Sequence, residues 1–159
     1  MKLKEIESRF IEISNINVDF SIFPLLRDVN QQVKTNKDKS KVHGEVFTPL
    51  WLCDKMILKN TTGDHLNKKF LDLCAGYGQF TIRYLRYLEN KYSNIDVDKV
   101  LRDNIYFSEI QEESCNKLMY IFGKNINLFI GDSRMLPLLH EDARGIWKLE
   151  NNTWIKPEV

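Results

Sequence analysis

The chain has 159 residues, 43% hydrophobic and 28% charged, which suits one soluble domain with one core and excludes two large ones. A formal net charge of +1 supplies no global basic field, so any contact with nucleic acid must come from a local patch. Cys53, Cys74 and Cys115 are odd in number and lack paired ligand spacing, which argues against a disulfide framework or a metal site and for small buried hydrophobes in a reducing compartment.

Leu3, Ile6, Phe10 and Ile13 fall on one helical stripe and predict an opening amphipathic helix of about three turns. A second helix is expected from Ser21, as N-cap, to about Val33, with Pro24 in its first turn and Leu25, Leu26, Val29 and Val33 facing inward. Lys34 to Lys41 holds four lysines and no apolar residue, and reads as a solvated loop before it reads as a phosphate contact. Residues 1–42 therefore form an N-terminal helical segment with a basic loop, whose plainest role is cover for a sheet face. Thr48-Pro49 then suits a helix start, and a helix to about Lys59 follows.

The stretch from Lys69 to Phe80 reads as strand, tight turn, helix. Phe70, Leu71 and Leu73 form a short apolar run, Gly76 and Gly78 permit dihedrals closed to other residues, and Phe80, Ile82, Leu85 and Leu88 repeat at helical spacing. A small cofactor is expected on that turn. Position 81 is Thr where a dinucleotide fingerprint needs glycine, which argues against a bound pyrophosphate. Asp96 to Asp103 predicts a short helix, Asn104 to Ile110 a second strand with Glu109 near its end, and Leu118, Met119, Ile121 and Phe122 a helix face capped by Gly123. Asn127 to Ser133 is a third strand ending at Asp132. Strands alternating with helices imply a parallel sheet with right-handed crossovers and a ligand at the strands' carboxyl ends. Ile146 to Glu150, Asn151-Asn152 and Thr153 to Lys156 read as a hairpin. No apolar run nears the ~20 residues of a membrane span, and the charged start Met1-Lys2-Leu3-Lys4-Glu5 is unlike a signal peptide, so a cytoplasmic chain without membrane contact is expected.

Phe47-Thr48-Pro49 after Gly44-Glu45-Val46, the loop from Asp72 to Phe80, Glu109 and Asp132 stand in an order that resembles the S-adenosylmethionine-dependent amino-methyltransferases. The closer resemblance is to the DNA adenine-N6 methyltransferases of restriction-modification systems, over roughly residues 43 to 135. It implies an α/β, Rossmann-like methyltransferase fold over residues 43–159, with a truncated parallel sheet behind the N-terminal helical layer, and S-adenosylmethionine as cofactor. In that likeness Phe47 and Thr48 fold over the methionine end, and Asp72 pairs with the ammonium. Ala75, Gly76, Gly78 and Phe80 shape the loop that closes on the tail. Glu109 accepts from the ribose hydroxyls, and Asp132 accepts from the adenine amino group with Ile110 supporting the ring.

The family's Asn/Asp/Ser-Pro-Pro-aromatic catalytic motif has no full counterpart, since no Pro-Pro occurs. Asn151 and Trp154 keep its polar first and aromatic last positions and are the catalytic candidates the resemblance offers; the hairpin is the stronger reading of the same residues. About seven strands complete a methyltransferase sheet, so an open edge is expected to be covered by the tail, by a second copy or by a partner protein. Three functions stand at this point. One is a partial adenine-N6 DNA methyltransferase that needs a partner chain and is weak or inactive alone. Another is an inactive module of the same fold that regulates or inhibits a restriction or methylation complex. The third is a different use of the cofactor, such as its breakdown. Richness in Lys, Asn and Ile fits an AT-rich bacterial or phage genome.

Overall fold

The structure, a computed structural model, describes residues 1–34, 47–60, 63–136 and 143–157. Gly44, Glu45 and Val46 and residues 35–41 of the lysine-rich stretch lie outside the described residues. A five-stranded sheet runs in the order β1-β2-β3-β4-β5. Strands β1 (Phe70–Asp72), β2 (Ile105–Glu109), β3 (Asn127–Ile130) and β4 (Ile146–Glu150) are parallel, and β5 (Thr153–Ile155) returns antiparallel to β4. Phe70 lies opposite Ile105, Phe107 opposite Leu128, and Phe129 opposite Trp147.

Strand alternation sorts the side chains into two layers. Phe70, Ile105, Phe107, Leu128 and Ile146 join the main core, while Leu71, Tyr106, Phe129, Trp147 and Trp154 form a smaller cluster. Helices α1 (Leu3–Ser14), α2 (Leu50–Asn60), α3 (Gln79–Tyr92), α4 (Val97–Asp103) and α5 (Glu112–Phe122) complete the α/β arrangement, which is compatible with a Rossmann-like fold. Leu3, Ile6 and Phe10 of the opening stripe are buried as expected. Helix α1 packs on α5 and α3, so it covers helices, and an ion pair between Glu7 and Arg86 fixes it there. Asp96 caps α4 by accepting from the Lys99 amide at 3.1 Å, and Gly123, at φ 92°, ends α5 with its amide on the Met119 carbonyl. No described helix is long and apolar enough to cross a membrane.

The second helix predicted from Ser21 to Val33 does not form. Only a 3-10 turn, Val29–Gln31, occurs there, and Leu26 and Val29 are each 86% exposed. The backbone from 20 to 25 finds side-chain partners in place of a helical ladder. Arg83 donates to the carbonyls of Phe20 and Ile22, and Asp54 accepts from the Leu25 amide at 2.8 Å. Tertiary contacts thus override a local pattern that had helical spacing. Helix α2 begins after Pro49, whose carbonyl accepts from the amides of Leu52 and Cys53.

The hairpin does form. Asn151 and Asn152 adopt φ of 49° and 61°, the left-handed pair that a two-residue turn between twisted strands requires. In the usual doubly wound sheet the chain's fourth strand returns to lie beside the first. Here β4 extends the sheet beyond β3, and β1 remains at the edge.

Gly78, just before α3, leaves room for the Phe122 ring of α5. It sits at φ 82°, and a Cβ placed on it would lie 2.3 Å from a Phe122 ring carbon. Gly78→Ala combines left-handed strain with overpacking and is expected to lower the unfolding free energy by about 2–4 kcal/mol, measured by urea denaturation.

Candidate functional site

The carboxyl ends of β1, β2 and β3 meet at a cavity of about 440 Å³, a size suited to a small-molecule ligand. Phe47 and Thr48 come to it from the segment before α2, Cys74, Ala75 and Gly76 from the β1–α3 turn, and Gln79 and Phe80 from the start of α3. Ser108, Glu109, Ile110 and Gln111 arrive from the end of β2, and Gly131 to Arg134 from the end of β3.

The turn is held in an unusual backbone conformation by several partners. Cys74, Gly76 and Gly78 have φ of 54°, 59° and 82°. A Cβ at Gly76 would stand 2.8 Å from the Phe47 ring, so only glycine lets that ring close on the turn. The Ala75 amide donates to the Ser108 carbonyl at 2.8 Å, which ties the turn to the end of β2. Phe47 packs on Tyr77 with ring centres 4.8 Å apart, and Lys117 donates to the Tyr77 hydroxyl at 2.7 Å.

Glu109 is buried at the cavity wall. Its Oε2 accepts from the Gly76 amide at 2.7 Å and its Oε1 from the Gln111 amide at 2.9 Å. Two backbone donors therefore set the orientation of this carboxylate and join the β1 turn to the β2 end. Asp132 takes a different position. Arg134 grips both its oxygens, with Nε 3.0 Å from each, and the Arg134 amide donates to it as well. The Arg134 side-chain hydrogen bond, then its backbone one, pulls the Asp132 carboxyl down to about 2. The cavity thus presents one carboxylate fixed by amides and another paired with a guanidinium, beside the apolar faces of Phe47, Phe80 and Ile110.

Other expected residues lie elsewhere. Asp72 does not line the cavity; it is buried beneath the turn, where its Oδ2 accepts from the Thr81 hydroxyl at 2.7 Å and the Thr81 amide at 3.3 Å. Thr81 is the residue standing where a third fingerprint glycine would be, and its role is to anchor α3 to β1. Gly78 serves packing against Phe122. Asn151 is exposed at the hairpin turn, and Trp154 packs on Phe129 while its indole donates to the Met135 carbonyl. Neither is among the residues lining the cavity.

Sequence reasoning missed Ser108. It is fully buried in the cavity wall, and its Oγ has no hydrogen-bond partner among the described residues. Alternation sets it opposite to Glu109, yet both residues line the cavity at the end of β2. An orphaned hydroxyl at this place marks where a polar ligand atom would be satisfied. Among the described residues no cluster of three or more His, Cys, Asp or Glu could hold a metal ion.

Burial raises the Asp72 carboxyl from 3.8 to about 7; the bonds from Thr81 oppose that rise and the nearby Glu109 charge adds to it. The folded state therefore holds a proton that the unfolded chain has released. The stability this group contributes is complete below 3.8 and is lost as pH climbs through about 7. Asp72→Asn removes the titration. The stability of the native protein relative to this variant is expected to fall between pH 5 and pH 8 in urea denaturation.

Comparison of the chain with family models, with curated proteins and with solved structures gave no match.

Proposed function

We propose that the cavity binds S-adenosylmethionine and that the chain is a partial methyltransferase-like fold, akin to the adenine-N6 DNA methyltransferases, that needs a partner chain for transfer. The carrying observation is that the Gly76 turn and Glu109 are joined by one hydrogen bond at the rim of a single cavity at the strands' carboxyl ends. Glu109 supplies the acceptor for a ribose diol. The turn's backbone and the faces of Phe47 and Phe80 suit the methionine tail, and Ile110 with Asp132 and Ser108 suits the adenine side. Asp72 shapes the turn through Thr81, at a distance from the ligand. When bound, the cofactor supplies an activated methyl group; the chain's own residues bind and orient it.

The placement of β4 favours a second reading, an inactive binding module that regulates or inhibits a restriction or methylation complex. Asn151 and Trp154 sit on the far side of β3, in a hairpin, and the rigid backbone of paired prolines is missing. The test has two arms. Calorimetric titration with S-adenosylmethionine is expected to show saturable binding. Incorporation of labelled methyl into adenine-containing DNA by the purified chain alone is expected to stay at background. Robust transfer abolished by Asn151→Ala would restore the single-chain enzyme, and no binding by the folded chain would remove the cofactor reading.

A further inference from the structure

Two carboxylates line the cavity, and they are held in different ways. Glu109 accepts from the amides of Gly76 and Gln111, main-chain donors that are fixed once the chain has folded. Asp132 is held by a side chain that can rotate away. Its Oδ1 accepts from the Arg134 amide and from Arg134 Nε, each at 3.0 Å, and its Oδ2 accepts from Nε at 3.0 Å and from Nη2 at 2.6 Å. An ionised carboxylate offers about four lone-pair sites, and Arg134 alone fills them.

This filling stands where a ligand would bind, because Asp132 and Arg134 both line the cavity beside Ile110 and Gly131. Asp132 caps the 3-10 turn Ser133–Met135, so the strand and the turn set its place. The Arg134 side chain, in contrast, is 86% exposed, and among the described residues it has no partner besides Asp132. An exposed ion pair of this kind contributes little, so a ligand can replace the guanidinium at small cost. Exchange removes only the side-chain donors. The Arg134 amide stays on Oδ1, and the turn keeps its cap. Asp132, pulled down to about 2 by these bonds, is ionised and accepts only. Whatever replaces the guanidinium must therefore be a donor.

We infer that Arg134 is a built-in stand-in for the ligand: its guanidinium occupies the donor position on Asp132 that the cofactor's adenine amino group takes, and it swings out when the cofactor binds. The inference rests on the cavity's being the cofactor site and adds a competitor within it. Cofactor affinity is then the intrinsic affinity reduced by the fraction of chains in which Arg134 holds Asp132. Selectivity follows as well, since a ligand with no donor at that place meets a filled carboxylate.

The test uses the full chain. Arg134→Ala removes an exposed side chain and keeps the amide that bonds Asp132, so the turn is retained. In calorimetry this variant is expected to bind S-adenosylmethionine about two- to fivefold more tightly than the native chain. The gap is expected to close in high salt, which weakens the pair in the native chain. With 15N-labelled arginine, saturation of the native chain with S-adenosylmethionine is expected to move the Arg134 Nε resonance to that of an unpaired arginine. Equal or weaker binding by Arg134→Ala, a gap indifferent to salt, or an unmoved Nε resonance in the saturated chain overturns the inference and leaves the cofactor site standing. Absence of binding by both folded chains overturns the cofactor reading and the inference with it.

Discussion

Asp54→Ala is expected to lower the unfolding free energy by about 3–5 kcal/mol, the range for breaking a buried ion pair from one side. Both members of the Asp54–Arg83 pair are fully buried. The pair is bidentate, with Arg83 Nε 2.7 Å from Oδ1 and Nη2 2.9 Å from Oδ2. Truncating Asp54 leaves the guanidinium in the core with the carbonyls of Phe20 and Ile22 and the rings of Phe20 and Phe23 but without its counter-charge, and leaves the Leu25 amide without its acceptor. The cost therefore has two parts, a stranded charge and a released loop. A double variant, Asp54→Leu with Arg83→Met, removes both charges and is expected to recover much of the loss in the same urea denaturation, because well-packed apolar residues can replace a buried pair. A single variant within 1 kcal/mol of the native protein would show that the pair does not hold α2, α3 and the 20–25 segment together.

That pair also explains where the sequence misled. Asp54 and Arg83 lie on different helices, and nothing local to residues 21–33 announces that its carbonyls will be claimed from outside. The apolar spacing of Leu25, Leu26, Val29 and Val33 was therefore a pattern without a helix. The β1–α3 turn was legible because its whole grammar is contiguous: an apolar run, an acid, two glycines four and six residues on, then a helical stripe. Glu109 was legible because it ends an apolar strand. Asp72 has the same local signature, yet its partner is Thr81, in the first turn of α3, and burial rather than chemistry on a ligand determines its state. The position of β4 was hidden for a different reason. Strand order depends on which way the chain crosses the sheet, and the asparagine turn fixes only that β4 and β5 are neighbours.

Glu109→Ala is expected to weaken S-adenosylmethionine binding by about 2–3 kcal/mol, roughly 30- to 150-fold, through the loss of charge-assisted hydrogen bonds to the ribose. The same change leaves the amides of Gly76 and Gln111 without the acceptor that orients the turn. Stability and affinity must therefore be read separately, by denaturation and by calorimetry on the folded fraction. Glu109→Gln keeps one carbonyl oxygen for an amide and is expected to fall between the two. Equal affinity of native protein and Glu109→Ala would remove Glu109 from the ligand's contacts.

We propose this site, the strand ends around Gly76, Glu109 and Asp132, as the binding site for S-adenosylmethionine. It is tested most directly by titrating the cofactor into the 15N-labelled chain and mapping the backbone shifts. The account predicts saturable shifts concentrated at Gly76, Glu109, Ile110, Gln111 and Gly131 to Ser133, with the hairpin amides of Asn151 and Asn152 unmoved. Absence of shifts at millimolar cofactor, or shifts centred on the β1 edge or the hairpin, would contradict it.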